Sequence, residues 1–384
     1  MSQILGKCVG LISGGEWRAV RGAAEGPFTL RPAVDRVDLI QNWVERHMAD
    51  LWKHGRLSEG LLDPAQDLKM LPFWIVAEVI YTELSQTQMT ELRELAALRE
   101  DIFKIVIHGG LTRFSLSRYF PTKANKQLAR FQALWRGFNA RAYQDSISKT
   151  PRAPIVSMYK QCEDGIMTHE QMLHTLDESL FANLDVTTGG ISWVLTFLAA
   201  NKDYQDRLRA ELALFLAEGH GGRQKYILAN STLLAACIVE SSRLRPLAAF
   251  SVPQSAPTPR VVGGYLIPAG TDFIVDAYGL NVRNKGFWGP DASEFRPERF
   301  LEGSKRPTNL RYFFWRFGFG PRQCMGRYIA EFMIRALVIH LVENYDLALQ
   351  EKDTGRQWDR APDVWINHPK MDIICRSRNR ACNN

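Results

Sequence analysis

Long apolar runs, paired cysteines and an acid surplus are all missing from this 384-residue chain, and each absence narrows what it can be. No stretch reaches the length of a membrane span; the most apolar ones, around residues 71–80 and 191–200, are short or interrupted by Glu78. The six cysteines (Cys8, Cys162, Cys237, Cys324, Cys375 and Cys382) show neither paired nor metal-finger spacing, which suits a reducing compartment. No secretory signal opens the chain. No basic run is interleaved with aromatics and no nucleic-acid motif occurs, so no nucleic-acid partner is expected. The net charge of +7 excludes an acidic scaffold. It would suit an acidic electron donor or anionic lipid, although mild basicity is common and rarely specific.

What is present is a globular composition, 46% hydrophobic and 23% charged, able to bury a large core. Helical periodicity dominates, and β-type, turn-rich text is confined to residues 246–300, so the fold class is mainly α with a small β subdomain. The most informative segment is Phe317-Gly-Phe-Gly-Pro-Arg-Gln-Cys-Met-Gly326. It presents one cysteine, Cys324, with an arginine two residues before it, a pattern for holding a metal by a single thiolate. Gly318 and Gly320 permit backbone shapes that a Cβ forbids, and Gly326 lets the chain pass close to a flat partner. A thiolate also needs compensation from backbone N–H groups and nearby positive charge. The apolar run over residues 328–342 reads as a long helix whose N-terminus points at the sulfur.

This loop resembles the haem-binding signature of the cytochrome P-450 family, Phe-x-x-Gly-x-Arg-x-Cys-x-Gly, at every defined position. The resemblance implies haem b as cofactor, Cys324 as the proximal iron ligand, Arg322 paired with a haem propionate and Phe317 shielding the thiolate. A thiolate ligand pushes electron density onto iron and favours O–O cleavage. Residues 231–245 read as a helix stopped by Pro246, with Glu240 and Arg243 three apart on one face. Such pairs decorate most solvated helices. Here Leu233, Leu234, Cys237, Ile238 and Leu244 surround the pair with apolar residues, so its guanidinium needs a further partner. Phe295-Arg-Pro-Glu-Arg-Phe300 offers Arg299. In the family an equivalent helix and loop form a bracing charge triad, which implies Glu240, Arg243 and Arg299 here. Order and spacing of these motifs extend the resemblance from about Gly6 onward, as one domain over residues 1–384.

Residues 173–200 read as one long buried helix with Asn183, Asp185, Thr187 and Thr188 in its middle. Taken alone, these residues could merely satisfy one another or a kink. By resemblance the helix crosses the distal face of the haem, where the family writes Ala-Gly-x-Asp/Glu-Thr-Thr and uses the acid and first threonine to relay protons. Ala182-Asn183-Leu184-Asp185-Val186-Thr187 keeps the acid, replaces the glycine by Asn183, and puts Val186 at the alcohol position. Thr187 keeps a hydroxyl, but one helical residue turns it by about 100°. Either Asp185 with Thr187 or Asn183 delivers protons by a shifted route, or the substrate helps to supply the relay. The Asn-Leu-Asp-Val-Thr-Thr text resembles fungal natural-product enzymes, including those acting on cyclic dipeptides of the gliotoxin type. Leu247–Val252 and residues 114–142 are expected around the pocket, whose small residues and one phenylalanine suit a medium-sized apolar substrate.

At the front, Trp17 and Arg21 stand one turn apart and correspond to the pair that contacts a haem propionate in the family. The anchor, first helices and part of the sheet that precede this stretch in the family are not seen, so the expectation is an N-terminally truncated cytochrome P-450 fold. Two functions stay open. One is a haem-thiolate monooxygenase acting on a small apolar natural product, by oxygen insertion, coupling or dehydrogenation. It would take O2 and electrons from NADPH through a separate flavoprotein reductase. The other is a fragment that does not hold haem productively. A full-length relative is expected on the cytosolic face of the endoplasmic reticulum membrane; for this chain a cytosolic location and a membrane contact both stay open.

Overall fold

Helices carry most of the chain, and several begin where a capping side chain stands ready. The structure, a computed structural model, describes residues 2–110, 114–181, 184–301, 310–354, 358 and 366–378. In chain order the helices are α1 (Ser2–Leu5), α2 (Gly14–Ala24), α3 (Leu30–Val34), α4 (Val37–His54), α5 (Met70–Tyr81), α6 (Gln86–His108), α7 (Lys123–Lys149) and α8 (Pro154–Glu163). They continue with α9 (His169–Phe181), α10 (Val186–Ala200), α11 (Lys202–Ala217), α12 (Gly222–Leu228), α13 (Leu233–Leu244), α14 (Lys285–Trp288), α15 (Leu310–Phe313) and α16 (Arg327–Asn344). The strands are β1 (Leu61–Leu62), β2 (Gln254–Ser255), β3 (Arg260–Val262), β4 (Tyr265–Ile267), β5 (Asp272–Phe273), β6 (Tyr345–Leu349) and β7 (Ile373–Ser377). Ser85 and Gln88 close a reciprocal capping box on α6, while the Thr122 and Thr232 hydroxyls accept N–H groups in the first turns of α7 and α13.

Contacts gather the chain into two compact units, one of residues 1–48, 68–187 and 325–333, the other of residues 49–67, 188–324 and 334–384. In the first unit every described element is helical. Its α5 is apolar on nearly all sides and almost wholly buried, the expected fate of a helix without a polar face. Phe181, the last residue of α9, packs against Phe73, Phe131 and Trp135 with ring centroids 5.3 to 5.9 Å apart. Side chains of α9 also hold the chain before α2. The Lys7 N–H donates to His174 Nδ1 (3.1 Å), the Val9 N–H to Thr175 Oγ1 (3.3 Å) and the Gly10 N–H to Glu178 Oε2 (3.1 Å).

The His174 contact needs a neutral ring, because a protonated Nδ1 cannot accept. Burial pushes His174 below its ordinary value, against an opposing pull from Glu170. A depressed histidine stabilises the fold above its unfolded value of about 6.5 and loses that contribution as the pH falls through it. Hydrogen-exchange protection of the Lys7 amide should therefore decline as the pH falls below about 6.5. A His174→Gln variant should flatten the decline; an unchanged profile would disprove the link.

In the second unit β7 lies between β1 and β6, antiparallel to both, with Leu62 and Leu349 each opposite Ile373 and Leu347 opposite Cys375. This sheet lies outside residues 246–300, where the sequence confined its β-type text, so that expectation is corrected. Within that window the structure forms only the short antiparallel ladders β2–β5 and β3–β4. A second correction concerns residues 173–200, which do not form one helix: α9 ends at Phe181, Asp185 lies in a turn, and α10 starts at Val186. A short acidic side chain offers the backbone a non-helical alternative and suits the residue just before a helix N-terminus. In α10 Gly189 is required by close approach, since a Cβ there would meet Ile366 Cγ2 at 2.9 Å and the Asn367 carbonyl oxygen at 3.2 Å. Residues 222–244 have the length and apolarity of a membrane span, but they comprise two helices, α12 and α13, and are two-thirds buried.

Candidate active site

Cys324 sits at the end of a loop closed on itself. Its N–H donates to the Phe317 carbonyl (2.8 Å), and the Gln323 N–H donates to the Gly320 carbonyl (3.1 Å). Both turns need the left-handed region, supplied by Gly318 (φ +78°) and Gly320 (φ +64°). Arg322 ends a single 3-10 turn and is half-buried, as is Phe317. Three residues beyond Cys324 the chain enters α16.

The other described cysteines are unlike it. Burial pushes the Cys8 and Cys237 thiols up strongly, Cys162 up to about 11 and Cys375 up to about 12, so each stays protonated and inert. Among the described cysteines only Cys324 is exposed. A Cβ at Gly320 or Gly326 would meet nothing within 4 Å, which leaves room above both backbones. No group of three or more His, Cys, Asp or Glu side chains that could hold a metal occurs among the described residues. One soft thiolate beside open glycine backbone is a donor set that fits a metal already held in a flat macrocycle.

Behind the loop, the structure brings Glu240, Arg243 and Arg299 together. Arg243 Nε and Nη2 donate to the two Glu240 oxygens (2.7 and 2.8 Å), and Arg299 Nε donates to Glu240 Oε1 (3.3 Å). Glu240 and Arg243 are fully buried. The remaining donors of Arg243 reach the Asn281, Ala292 and Glu294 carbonyls (2.9, 2.6 and 3.3 Å). Arg299 also pairs with Asp291 (2.9 Å), and that hydrogen bond holds the Asp291 carboxyl below the usual range. Asn281 and Asp291 went unassigned in the sequence; a carbonyl acceptor has no side-chain signature, and Asp291 follows no motif.

Of the residues expected to relay protons, Asn183 lies outside the described residues. Asp185 stands in the turn before α10, and Thr187, its second residue, is buried. Lys69 at the start of α5, which sequence reasoning missed, lies between two carboxylates, 2.9 Å from Glu100 and 3.8 Å from Asp185. Burial opposes ionisation of Glu100, but its pairs with Lys69 and Lys104 together outweigh this and hold it below its ordinary value. Thr188 is also buried, and its hydroxyl finds no hydrogen-bond partner among the described residues. Trp17 and Arg21 lie one turn apart on α2, both half-buried, with Arg21 Nε donating to Glu25 (2.6 Å). Leu247 packs over Gly189 and Gly190, whereas Phe250 and Val252 are exposed.

A helical scaffold with a small sheet and a loop presenting one exposed cysteine is the arrangement a haem-thiolate oxidoreductase requires. A family model for cytochrome P-450 matches residues 3–376, and the chain belongs to the cytochrome P-450 family. It is 52% identical to cytochrome P-450 monooxygenase asaD of Aspergillus flavus over 98% of this chain and 71% of that protein. It is 51% identical to cytochrome P-450 monooxygenase aclC of Aspergillus oryzae over 98% of this chain and 76% of that protein. A zebrafish cytochrome P-450 solved with progesterone shares the fold, with a TM-score of 0.75 at 20% identity over 98% of this chain and 86% of that one. The protein is therefore an oxidoreductase of the monooxygenase class, and its family implies a haem-iron thiolate cofactor, O2, a substrate and a redox partner.

Proposed function

We propose that the chain holds haem b through Cys324 and oxygenates a small apolar natural product of fungal secondary metabolism, drawing electrons from NADPH through a separate flavoprotein reductase. The observation that carries this reading is the exposure of Cys324 in a loop closed onto Phe317, while the other described thiols are held protonated. Bound there, the haem would supply the activation of O2. The chain's own residues do the rest. Arg322, Trp17 and Arg21 would hold the propionates, Phe317 would shield the sulfur, and the Glu240–Arg243–Arg299 cluster would brace the loop. Asp185, steadied by Lys69, and Thr187 hand protons inward. The test is the reduced carbon monoxide difference spectrum of residues 1–384 supplied with haem. A thiolate-type Soret band is expected.

A second reading, in which this chain does not hold haem productively, draws on exposed apolar side chains of the second unit. Val261, Val262, Tyr265, Leu266, Phe273 and Ile274 are each more than half exposed on or beside the short ladders. Failure to take up haem would decide for it. If the first reading holds, Asp185→Asn or Thr187→Ala should lower product formed per NADPH consumed, by on the order of 10²-fold if the residue carries the proton. Unchanged coupling in both variants would leave proton delivery to the substrate. Labelled O2 separates insertion from coupling or dehydrogenation, because the last two need not leave oxygen in the product.

A further inference from the structure

Residue 316 was assigned no role by any motif, yet it joins the thiolate loop to the helix of the buried ion pair. The Arg316 guanidinium lies over the Phe317 ring, 4.6 Å from its centroid, and Arg316 Nε donates to Ser242 Oγ at 3.0 Å. Ser242 stands on α13 beside Arg243, and its own hydroxyl proton goes to the Ile238 carbonyl (2.9 Å). That donation leaves an oxygen lone pair for Arg316, so the contact has a fixed polarity. One residue earlier the backbone is pinned as well. The buried Asn281 side chain donates to the Trp315 carbonyl (2.7 Å) and accepts the Trp315 N–H (2.8 Å). The Asn281 carbonyl is in turn an acceptor for Arg243. Two fasteners therefore run from the helix of the buried ion pair to residues 315 and 316. The next residue, Phe317, carries the carbonyl that takes the Cys324 N–H.

We propose that Arg316 is a positioning residue for Cys324: anchored by Ser242, it fixes the Phe317 ring and sets a positive charge beside the thiolate loop. The proposal rests on the reading of Cys324 as the haem ligand. A guanidinium stays charged at any working pH and stacks well on an aromatic face, which an ammonium does less well. Half-buried, its field is screened less than at a free surface. One-electron reduction adds negative charge to the haem–thiolate unit, so a cation here favours the reduced form and a thiolate over a thiol.

The experiment is a potentiometric titration of the haem-loaded chain with dithionite and mediator dyes, with no reductase present, so that any effect of Arg316 on partner docking is excluded. The carbon monoxide spectrum of each sample is recorded beside it. Arg316→Gln should shift the redox equilibrium toward the oxidised form by about tenfold, about 59 mV for one electron, and raise the fraction of thiol-type carbon monoxide complex. Arg316→Lys keeps the charge and should recover most of the potential. Ser242→Ala removes the anchor but not the charge, and alanine suits a helix, so it should fold and show a smaller shift of the same sign. Equal midpoints and equal thiolate fractions in wild type, Arg316→Gln and Ser242→Ala would overturn the proposal. A Lys variant that falls as far as Gln would overturn the role of charge. If Arg316→Gln does not fold, Ser242→Ala alone decides, since a wild-type midpoint there removes the anchor from the account. A wild-type chain with no thiolate-type band would instead defeat the underlying haem reading.

Discussion

Cys324→Ala should erase the thiolate-type Soret band completely while leaving the apo-protein as stable as the wild type. Cys324 is exposed, and truncating an exposed side chain ordinarily changes stability by no more than about 0.5 kcal/mol. No other described cysteine can take over its role. Cys8, Cys237 and Cys375 are buried with their thiols pushed up, and Cys162 is pushed up to about 11 with Glu163 adding to the effect of burial. Two measurements are needed together, the reduced carbon monoxide difference spectrum and the thermal unfolding of the haem-free chain. Loss of the band with unchanged unfolding assigns the ligand. A band that survives in the alanine variant would place the ligand elsewhere and remove the main support of the proposed function.

The thiolate loop was legible in the sequence because its geometry is local. Two left-handed glycines, an arginine and a cysteine at fixed offsets specify their own backbone, and Gly318 and Gly320 adopt the positive φ that such spacing requires. The Glu240–Arg243 pair was legible as two residues three apart on α13, and Arg299 through its short Pro-containing turn. What surrounds them was not. Beyond Glu240, Arg243 is satisfied by the carbonyls of Asn281, Ala292 and Glu294, groups that every residue carries, so side-chain patterns hold no trace of them. The break between α9 and α10 was hidden for a related reason. Apolar residues continue on both sides of it, and periodicity cannot show that the turn at Asp185 interrupts the helix. Lys69 was missed because its partners, Glu100 and Asp185, meet it only through the packing of separate elements. The sheet β1–β7–β6 is non-local in the same sense: two- and five-residue strands from three regions of the chain form it.

Replacing Glu240 by alanine should be among the most destabilising single changes in the second unit, with haem retention lost alongside. Glu240 accepts from Arg243 twice, from Arg299 once and from the Arg296 N–H (3.0 Å), all with no exposure of its own. Removing it leaves the fully buried Arg243 charge with carbonyl acceptors alone. Breaking a buried pair in this way costs about 3–5 kcal/mol, because the remaining charge stays desolvated. Against a typical total of about 5–15 kcal/mol, that is a large fraction of the stability. Glu240→Gln keeps acceptor and volume but not charge and should fall between alanine and wild type. Arg243→Lys should not recover the loss, since an ammonium cannot reach both Glu240 oxygens and two separate carbonyls at once. Denaturant unfolding of the haem-free chain reads the stability, and the haem-to-protein ratio after gel filtration reads retention. The two are expected to fall in the same order, alanine below glutamine below wild type, because Asn281 and Ser242 tie this helix to residues 315 and 316 at the base of the thiolate loop. Variants that lose stability yet keep a full haem complement would show that the triad braces the core alone and that the link to Cys324 transmits nothing.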